Sequence, residues 1–297
     1  MSSTLFTAPP EWHWLIIAYF FVGGLAGGCY FLAVLIDFVG RSVDRPLARL
    51  GYLVAFPMTV LSGILLTVDL TKPLRFWHML LQSETGMPVF KPWSPMSIGS
   101  WALLAFGFVT FLSFLAVMGE RRERRVGAFF ALRPPHPLGM LIGVIGGVLG
   151  FFVAGYTGVL LAVTNRPIWS DTNLLGVTFL ASAASTSAAL LLLLAYRRPI
   201  VPGGVRALER FDTWALVLEL ALLIALVASL GSLARLWLNA WGLLFVLGVV
   251  GLGIVVPLVL HWRPRAMGRF GAPAAAALVL VGGFLLRIVI VLSSERV

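Results

Sequence analysis

Polar side chains inside long apolar runs are the residues of this sequence that could do chemistry. Asp37 and Glu219 lie within such runs, Asp69 ends one, Arg287 interrupts another, and Tyr156 lies inside a fifth. If these runs cross a membrane, a charge near the bilayer centre costs about 2.5–3.5 kcal/mol on insertion scales. We therefore take the four charged residues as candidates for a proton path, and Tyr156 as a candidate ligand-binding residue.

Three polar groups are predicted to lie at the same depth in the membrane: the phenol of Tyr156, the imidazole of His13 and the carboxylate of Asp69. Tyr156 lies about two helical turns before the end of its run, at ~1.5 Å per residue, and His13 directly precedes the first run. Asp69 and Asn165 follow the ends of two others. Such groups can hydrogen-bond the oxygens of a quinone ring, and histidine and a buried acid can relay its protons.

Simpler structural roles compete with each of these readings. Asp37 and Arg287 are close enough to a run end for their charges to reach the interface by snorkelling. Glu219 is placed to form a buried pair, and Asp69 to end its helix. The hydroxyl of Tyr156 would then bond a neighbouring helix.

The composition predicts a polytopic helical membrane protein. The chain has 297 residues, of which 60% are hydrophobic and 11% charged, and its mean hydropathy is +0.98. Runs of about 20 apolar residues suffice to cross a ~30 Å hydrocarbon layer. We predict an all-α bundle occupying residues 1–297 as a single membrane domain, either one bundle or two abutting four-helix bundles. Eight spans are expected, at about 14–39, 51–69, 96–118, 138–163, 174–196, 213–233, 238–261 and 272–292.

The net charge of +10 is distributed as in a membrane protein and not as in a nucleic-acid-binding protein. Basic residues concentrate in the connections after the first, third, fifth and seventh spans, which marks these as cytoplasmic and places both termini outside. The connection after the second span, residues 70–95, departs from this pattern. We call it the outer loop. Its basic and aromatic residues, with Trp169, are predicted to face a partner: Arg75, Trp77, His78, Lys91 and Trp93.

Several cofactor classes are disfavoured by the residues available. The four histidines lie near predicted span ends, so a haem held by two histidines inside the bundle is not expected. One cysteine, Cys29, cannot hold an iron–sulfur cluster and is expected to fill core space. Both lysines are in the outer loop, which leaves none for retinal, and metal and nucleophile motifs are not found.

Four motifs in the first half resemble those of the NrfD-like integral membrane subunits, including that of polysulfide reductase. In order, they are "EWHW" followed by "GGLAGG", "VDLTKPLRFWHML", "PWSPMSIGSWAL" and "GYTGVLLAVTNRPIW". The second half is similar mainly in hydropathy.

The resemblance implies a metal-free membrane anchor in the bacterial cytoplasmic (inner) membrane that takes part in anaerobic respiration. Such subunits bind a quinone (menaquinone or ubiquinone) on the periplasmic side. They exchange electrons with a peripheral subunit carrying four iron–sulfur clusters, often joined to a molybdopterin catalytic subunit. Carried over by motif, Tyr156 and His13 would bind the quinone, and Asp69 would replace a family glutamate that is one methylene longer. Asn165, Arg166 and Trp169 would form a lid over the site. Proton translocation is a further expectation.

Two other functions stay open at this stage. A secondary transporter would carry interrupted helices at matched positions of two halves. Pro57 and Pro257 interrupt apolar runs, but the sequences around them do not correspond. A purely structural membrane anchor is the other alternative.

Overall fold

A computed structural model describes residues 12, 14–120, 132–196, 198, 202–262 and 270–295. It contains eight helices long and apolar enough to cross a membrane. The all-α prediction is confirmed. We number the helices α1 Trp14–Val39, α2 Arg45–Asp69, α3 Pro95–Glu120, α4 Pro137–Ala162, α5 Leu175–Tyr196, α6 Pro202–Leu230, α7 Ala240–Trp262 and α8 Gly271–Glu295.

The helices form two groups of four that share an interface. Helices α1 to α4 pack in a ring, α5 to α8 pack in a second ring, and α1 and α4 both pack against α5. Helix α1 also contacts α8 and is the most buried of the eight spans. We call α1–α4 the first bundle and α5–α8 the second. The end of each bundle at which α1 begins is called the outer end, following the predicted orientation.

Glycines allow α1 and α4 to approach closely, as their spacing predicts. A Cβ on Gly27 would lie 2.3 Å from the carbonyl oxygen of Gly150. On the neighbouring face of α1, a Cβ on Gly28 would lie 2.2 Å from Oγ of Ser187 in α5. Small residues therefore seat α1 between the two bundles, which places residues of α1 beside polar groups of both.

Helix α6 begins at Pro202, eleven residues before the predicted start of the sixth span at residue 213. Arg206, Glu209, Arg210 and Asp212 end the apolar run, but they do not end the helix. The length of the apolar run shows how much of the chain lies in the hydrocarbon. The helix itself can be longer, because its backbone hydrogen bonds continue until a residue such as proline interrupts them. This extension brings Asp212 into the helix that carries Glu219.

The two prolines of the transporter hypothesis behave differently. Helix α2 is continuous across Pro57, whereas α7 has π-helical geometry over Leu244–Val255, immediately before Pro257. The wider π-helical turn provides hydrogen-bond partners for the backbone groups that a proline would otherwise leave unpaired. The described helices thus do not show a matched pair of interruptions in the two bundles.

Candidate functional site

Tyr156 lies near the outer end of α4 and faces the first turn of α3. Its hydroxyl donates a hydrogen bond of 2.5 Å to the carbonyl oxygen of Pro95. Its ring lies over Gly99, where a Cβ would be only 2.3 Å from Cζ of the tyrosine. On the other side, the ring of Phe152 stacks on it at 5.4 Å. The phenol is therefore fixed between a backbone acceptor, a glycine and an aromatic ring.

The aromatic ring next to Tyr156 reaches the surface of the first bundle. Phe152 is 37% exposed on the surface of the first bundle, while Tyr156 itself is buried. A ligand arriving from the acyl chains would meet the Phe152 ring first and the phenol behind it. The hydroxyl oxygen of Tyr156 still has capacity to accept a hydrogen bond while its hydrogen is directed at Pro95. These features fit a quinone headgroup with a lipid-embedded tail.

A second phenol, not identified from the sequence, accompanies Tyr156. Tyr19 of α1 is buried and close enough to Tyr156 for the two hydroxyls to interact electrostatically. Its ring contacts the position where a Cβ on Gly23 would lie, beside Oγ of Ser62 in α2. The available signal was its position in the sequence, six residues after His13.

The other predicted quinone residues are only partly located. His13 falls outside the described residues, so its distance from Tyr156 stays a prediction. Asp69 is the last residue of α2, at the outer end of the same bundle, and is exposed. Asn165 follows the end of α4 and is also exposed. The roles of these three residues in quinone binding remain predictions.

The loop after α4 packs against the outer end of the second bundle. Trp169 is fully buried, its indole nitrogen donates to the carbonyl oxygen of Ile290 at 2.8 Å, and its ring stacks on Trp12 at 5.1 Å. Ser294 donates to the carbonyl oxygen of Pro167 at 2.6 Å. The prediction that the Trp169 side chain faces a partner is therefore wrong, because its large apolar ring packs against the outer end of α8.

Arg166 takes part in the same packing. Its guanidinium lies 5.8 Å from the centre of the Trp169 ring and 3.5 Å from the carbonyl oxygen of Ser294. It is buried at the outer end of the second bundle. These contacts hold the loop onto α8, and quinone binding by Arg166 stays a prediction.

The outer loop presents apolar and basic side chains at the surface. Leu74 is 90% exposed and Trp93 is 79% exposed, and Arg75, Trp77 and Lys91 are exposed as well. His78 is partly buried, against the ring of Trp77. Trp101 of α3 anchors the loop by donating to the carbonyl oxygen of Val89 at 2.9 Å. The loop is thus both exposed and held in place, as a docking surface would require.

Arg287 and Glu219 belong to one buried polar cluster inside the second bundle. Nη1 of Arg287 donates to Oγ of Ser182 and to the carbonyl oxygen of Gly283, both at 2.6 Å. Oε2 of Glu219 accepts from Oγ of Ser185 at 2.8 Å. The carboxylate and the guanidinium interact electrostatically across these serines. For Arg287, snorkelling is wrong, since the side chain is fully buried.

Aromatic rings complete the surroundings of Arg287. Its guanidinium lies 5.1 Å from the ring centre of Phe179 and 5.7 Å from that of Phe21. These cation–π contacts help to retain a charge in an apolar bundle. Glu219 has a buried structural partner in Ser185, and Arg287 has one in Ser182 of the same helix.

Asp37 is also buried, and it has a charged partner. Its side chain is 2% exposed and lies 3.4 Å from Nη2 of Arg133. Arg133 pairs in turn with Glu120, and Glu120 with Arg49 at 2.5 Å. This ionic network joins α1, α2, α3 and the segment before α4 at the inner end of the first bundle. Snorkelling of Asp37 to solvent is therefore wrong.

The inner end of the second bundle holds a further acid that the sequence analysis missed. Asp212 of α6 is fully buried, and Oδ2 lies 3.8 Å from Nε2 of His261 in α7. The other ring nitrogen of His261 lies 3.2 Å from Oγ1 of Thr213. The detectable signal was spacing, because Asp212 precedes Glu219 by seven residues and therefore shares its helical face.

Among the described residues, no group of three or more His, Cys, Asp or Glu side chains is arranged to hold a metal ion. Cys29 is buried, as expected of a core residue. The polar side chains described above can form hydrogen bonds and exchange protons.

Comparison with known proteins gives consistent matches over nearly the whole sequence. A model of the family described as "Polysulphide reductase, NrfD" matches residues 5–296. The C subunit of the polysulfide reductase of Wolinella succinogenes is 31% identical over 270 residues, which cover 84% of this protein and 82% of the relative. Protein NrfD of Escherichia coli is 28% identical over 318 residues, covering 96% and 95% respectively.

Proposed function

Because this chain belongs to the NrfD family of polysulphide reductase membrane proteins, we propose that it is the quinone-binding subunit of a multi-subunit respiratory oxidoreductase. Family membership supports a multi-pass membrane subunit that works with other subunits. The proposal adds that the site is at the outer end of the first bundle, around Tyr156.

The observation that carries the proposal is the fixed phenol of Tyr156 beside a lipid-facing ring. Its hydrogen is directed at the carbonyl oxygen of Pro95, so its oxygen is free to accept a hydrogen bond from the hydroxyl of a quinol. To donate to the oxygen of an oxidised quinone, the phenol must turn away from Pro95. Rotation of the O–H bond about the Cζ–O bond achieves this, and the ring stays in place against Gly99.

Protons would be exchanged by the polar groups nearest the phenol. Tyr19 is close enough to Tyr156 to interact with it electrostatically, and Asp69 ends α2 at the same end of the bundle. A carboxylate and an imidazole can accept and return protons near neutral pH. We assign this role to Asp69 and His13, with the phenols orienting the ring.

When bound, the quinone (menaquinone or ubiquinone) supplies the electron-carrying chemistry that the protein's own side chains lack. The electrons would pass between the quinone and a peripheral iron–sulfur subunit docked on the outer loop, itself joined to a molybdopterin catalytic subunit. The exposed Leu74 and Trp93, with Arg75 and Lys91 beside them, have the mixture of apolar area and positive charge that suits an acidic protein surface.

Solvent extraction of the purified complex followed by mass spectrometry tests the proposal. We expect a stoichiometric quinone in the native protein and a strongly reduced amount in Tyr156→Phe. Tyr30→Phe is the matched control, because Tyr30 is also buried in the first bundle and bonds Oγ of Ser113 at 2.7 Å, but at the inner end. A quinone retained fully by Tyr156→Phe, or missing from the native complex, would refute the proposed site.

A further inference from the structure

A buried acid without hydrogen-bond donors lies outside the proposed quinone site. Both carboxylate oxygens of Asp212 are buried and have no hydrogen-bond partner within the described part of the chain. Burial of an ionised carboxylate without compensation costs several kcal/mol. Asp212 is therefore expected either to bind a proton or to have a cation beside it. The ring of His261, which can be protonated, lies 3.8 Å away.

Asp212 and His261 lie within ion-pair distance of each other. The separation of 3.8 Å between Oδ2 and Nε2 is too long for a hydrogen bond, and a small side-chain rotation would bring the two atoms within hydrogen-bond range. Thr213 bonds the far nitrogen of the imidazole at 3.2 Å and so fixes the ring's orientation. The other titratable group that acts on Asp212 from this end is Glu209, one turn earlier in α6.

Further into the bundle than Asp212, Glu219 belongs to a cluster of hydrogen-bonded polar groups. Glu219 lies seven residues further along the same face of α6, about 10 Å away at ~1.5 Å per residue. Its carboxylate bonds Ser185, and the next serine on α5, Ser182, bonds Arg287. Both serine hydroxyls can donate and accept, which is what proton transfer along a hydrogen-bonded chain requires.

The cluster extends to α1. A Cβ on Gly24 would lie 3.4 Å from Nη2 of Arg287, while a Cβ on Gly23 would lie 3.4 Å from the ring of Tyr19. Two adjacent glycines of α1 thus contact the Arg287 cluster of the second bundle on one side and the Tyr19 ring on the other.

We propose that Asp212 and His261 form a proton-exchange site that connects the inner side of the membrane with Glu219, and through the Arg287 cluster with the quinone site. In the transfer step, the N–H bond at Nε2 of a protonated His261 breaks and an O–H bond forms at Oδ2 of Asp212. A cation and an anion thereby become a neutral imidazole and a neutral carboxylic acid. The inference rests on the proposed function for its destination, since quinone reduction consumes one proton for each electron and quinol oxidation releases one.

Proteoliposomes containing the whole complex test the inference, with a pH-sensitive dye on the inner side. Quinone-linked turnover and proton exchange per electron are measured in the native complex, in Asp212→Asn and in His261→Gln. We expect both variants to keep at least half of the turnover in the presence of an uncoupler and to lose most of the inner-side proton exchange, about tenfold. Asp171→Asn, an exposed acid in the loop after α4, is the matched control and should change neither quantity.

The outcomes separate the two proposals. Unchanged proton exchange per electron in Asp212→Asn would overturn the Asp212–His261 site and leave the quinone site standing. If the native complex shows no quinone-linked turnover, the proposed function fails, and labelling with dicyclohexylcarbodiimide, which attacks protonated carboxyl groups in apolar surroundings, decides the remaining question. An adduct on Asp212, mapped by mass spectrometry, supports the site, and a peptide without adduct between pH 5 and 8 overturns it.

Discussion

Gly99 of α3 lies directly against the ring of Tyr156 of α4, so close that a Cβ at residue 99 would be 2.3 Å from Cζ of the tyrosine. The contact explains why the phenol reaches the carbonyl oxygen of Pro95. A side chain of any size at residue 99 would push the ring away from α3. The position of Tyr156 therefore depends on a glycine in another helix, far away in the sequence.

Replacement Gly99→Ala is expected to displace Tyr156 and lower quinone-linked turnover by about tenfold, while assembly of the complex is kept. The physical reason is overpacking, which typically costs about 1–3 kcal/mol in a packed interior, and a phenol moved by even ~1 Å no longer meets the ligand. Turnover per assembled complex with a quinol donor is the measurement.

Gly107→Ala is the control for this change, because it introduces the same methyl group on the same helix. A Cβ on Gly107 meets only Cγ2 of Thr59, at 3.8 Å, which is ordinary van der Waals contact. We expect unaltered turnover. Equal losses in the two variants would mean that α3 is sensitive to any added methyl group and that the Tyr156 position is not special.

Replacement Trp169→Phe is expected to destabilise the protein without affecting partner binding. The change keeps an aromatic ring against Trp12 and removes the hydrogen bond from the indole nitrogen to the carbonyl oxygen of Ile290 at 2.8 Å. The loss of one buried hydrogen bond costs about 0.5–1.5 kcal/mol. The midpoint of thermal unfolding in detergent should fall measurably. Trp93→Phe, at a site 79% exposed, should leave the midpoint unchanged, and a similar fall in both would refute the assigned packing role.

Much of the fold was predictable from the sequence, because the thickness of the bilayer sets the length of an apolar run. The first span was predicted at 14–39 and the helix is Trp14–Val39. The second and sixth helices begin earlier than predicted, at Arg45 instead of residue 51 and at Pro202 instead of residue 213. Hydropathy detects where charges begin and not where the helix begins. In the sixth helix, that error concealed Asp212, which seemed to lie in a connection.

The contacts that the site residues make were less predictable from the sequence than the end of the bundle at which these residues lie. Tyr156 stood out as a phenol inside an apolar run, but its partner Pro95 is 61 residues away, and no helical period links the two. Trp169 was misassigned for a related reason. An aromatic residue in a loop suits a surface as well as an interior, and only the packing of α8 beneath it decides between them.

Charge reversal in the outer loop is expected to weaken docking of the partner subunit. Replacing Arg75 and Lys91 by Glu puts negative charge on a surface proposed to meet an acidic protein, so the association rate should fall and its salt dependence should weaken. Both side chains are exposed, so folding should be unaffected. Surface plasmon resonance with the detergent-solubilised subunit measures the rate. The control is replacement of Arg235 by Glu, because Arg235 is exposed at the same end of the second bundle. Equal effects at the two sites would indicate a general effect of charge and no specific docking surface.

Arg287 and Glu219 are expected to be coupled in stability. Removal of one member of a buried charged pair leaves the other uncompensated, at a cost of about 3–5 kcal/mol, so Arg287→Met and Glu219→Gln should each lower the free energy of unfolding strongly. The double replacement should cost clearly less than the sum, because it removes both charges together and leaves neither one uncompensated. Unfolding in mixed micelles with increasing dodecyl sulfate gives the three free energies, and their difference is the coupling. Arg235→Met should change stability by less than about 0.5 kcal/mol. Simple additivity of the two buried replacements would show that the serines isolate the charges from each other, and the proposed connection from Asp212 to α1 would then be broken at its centre.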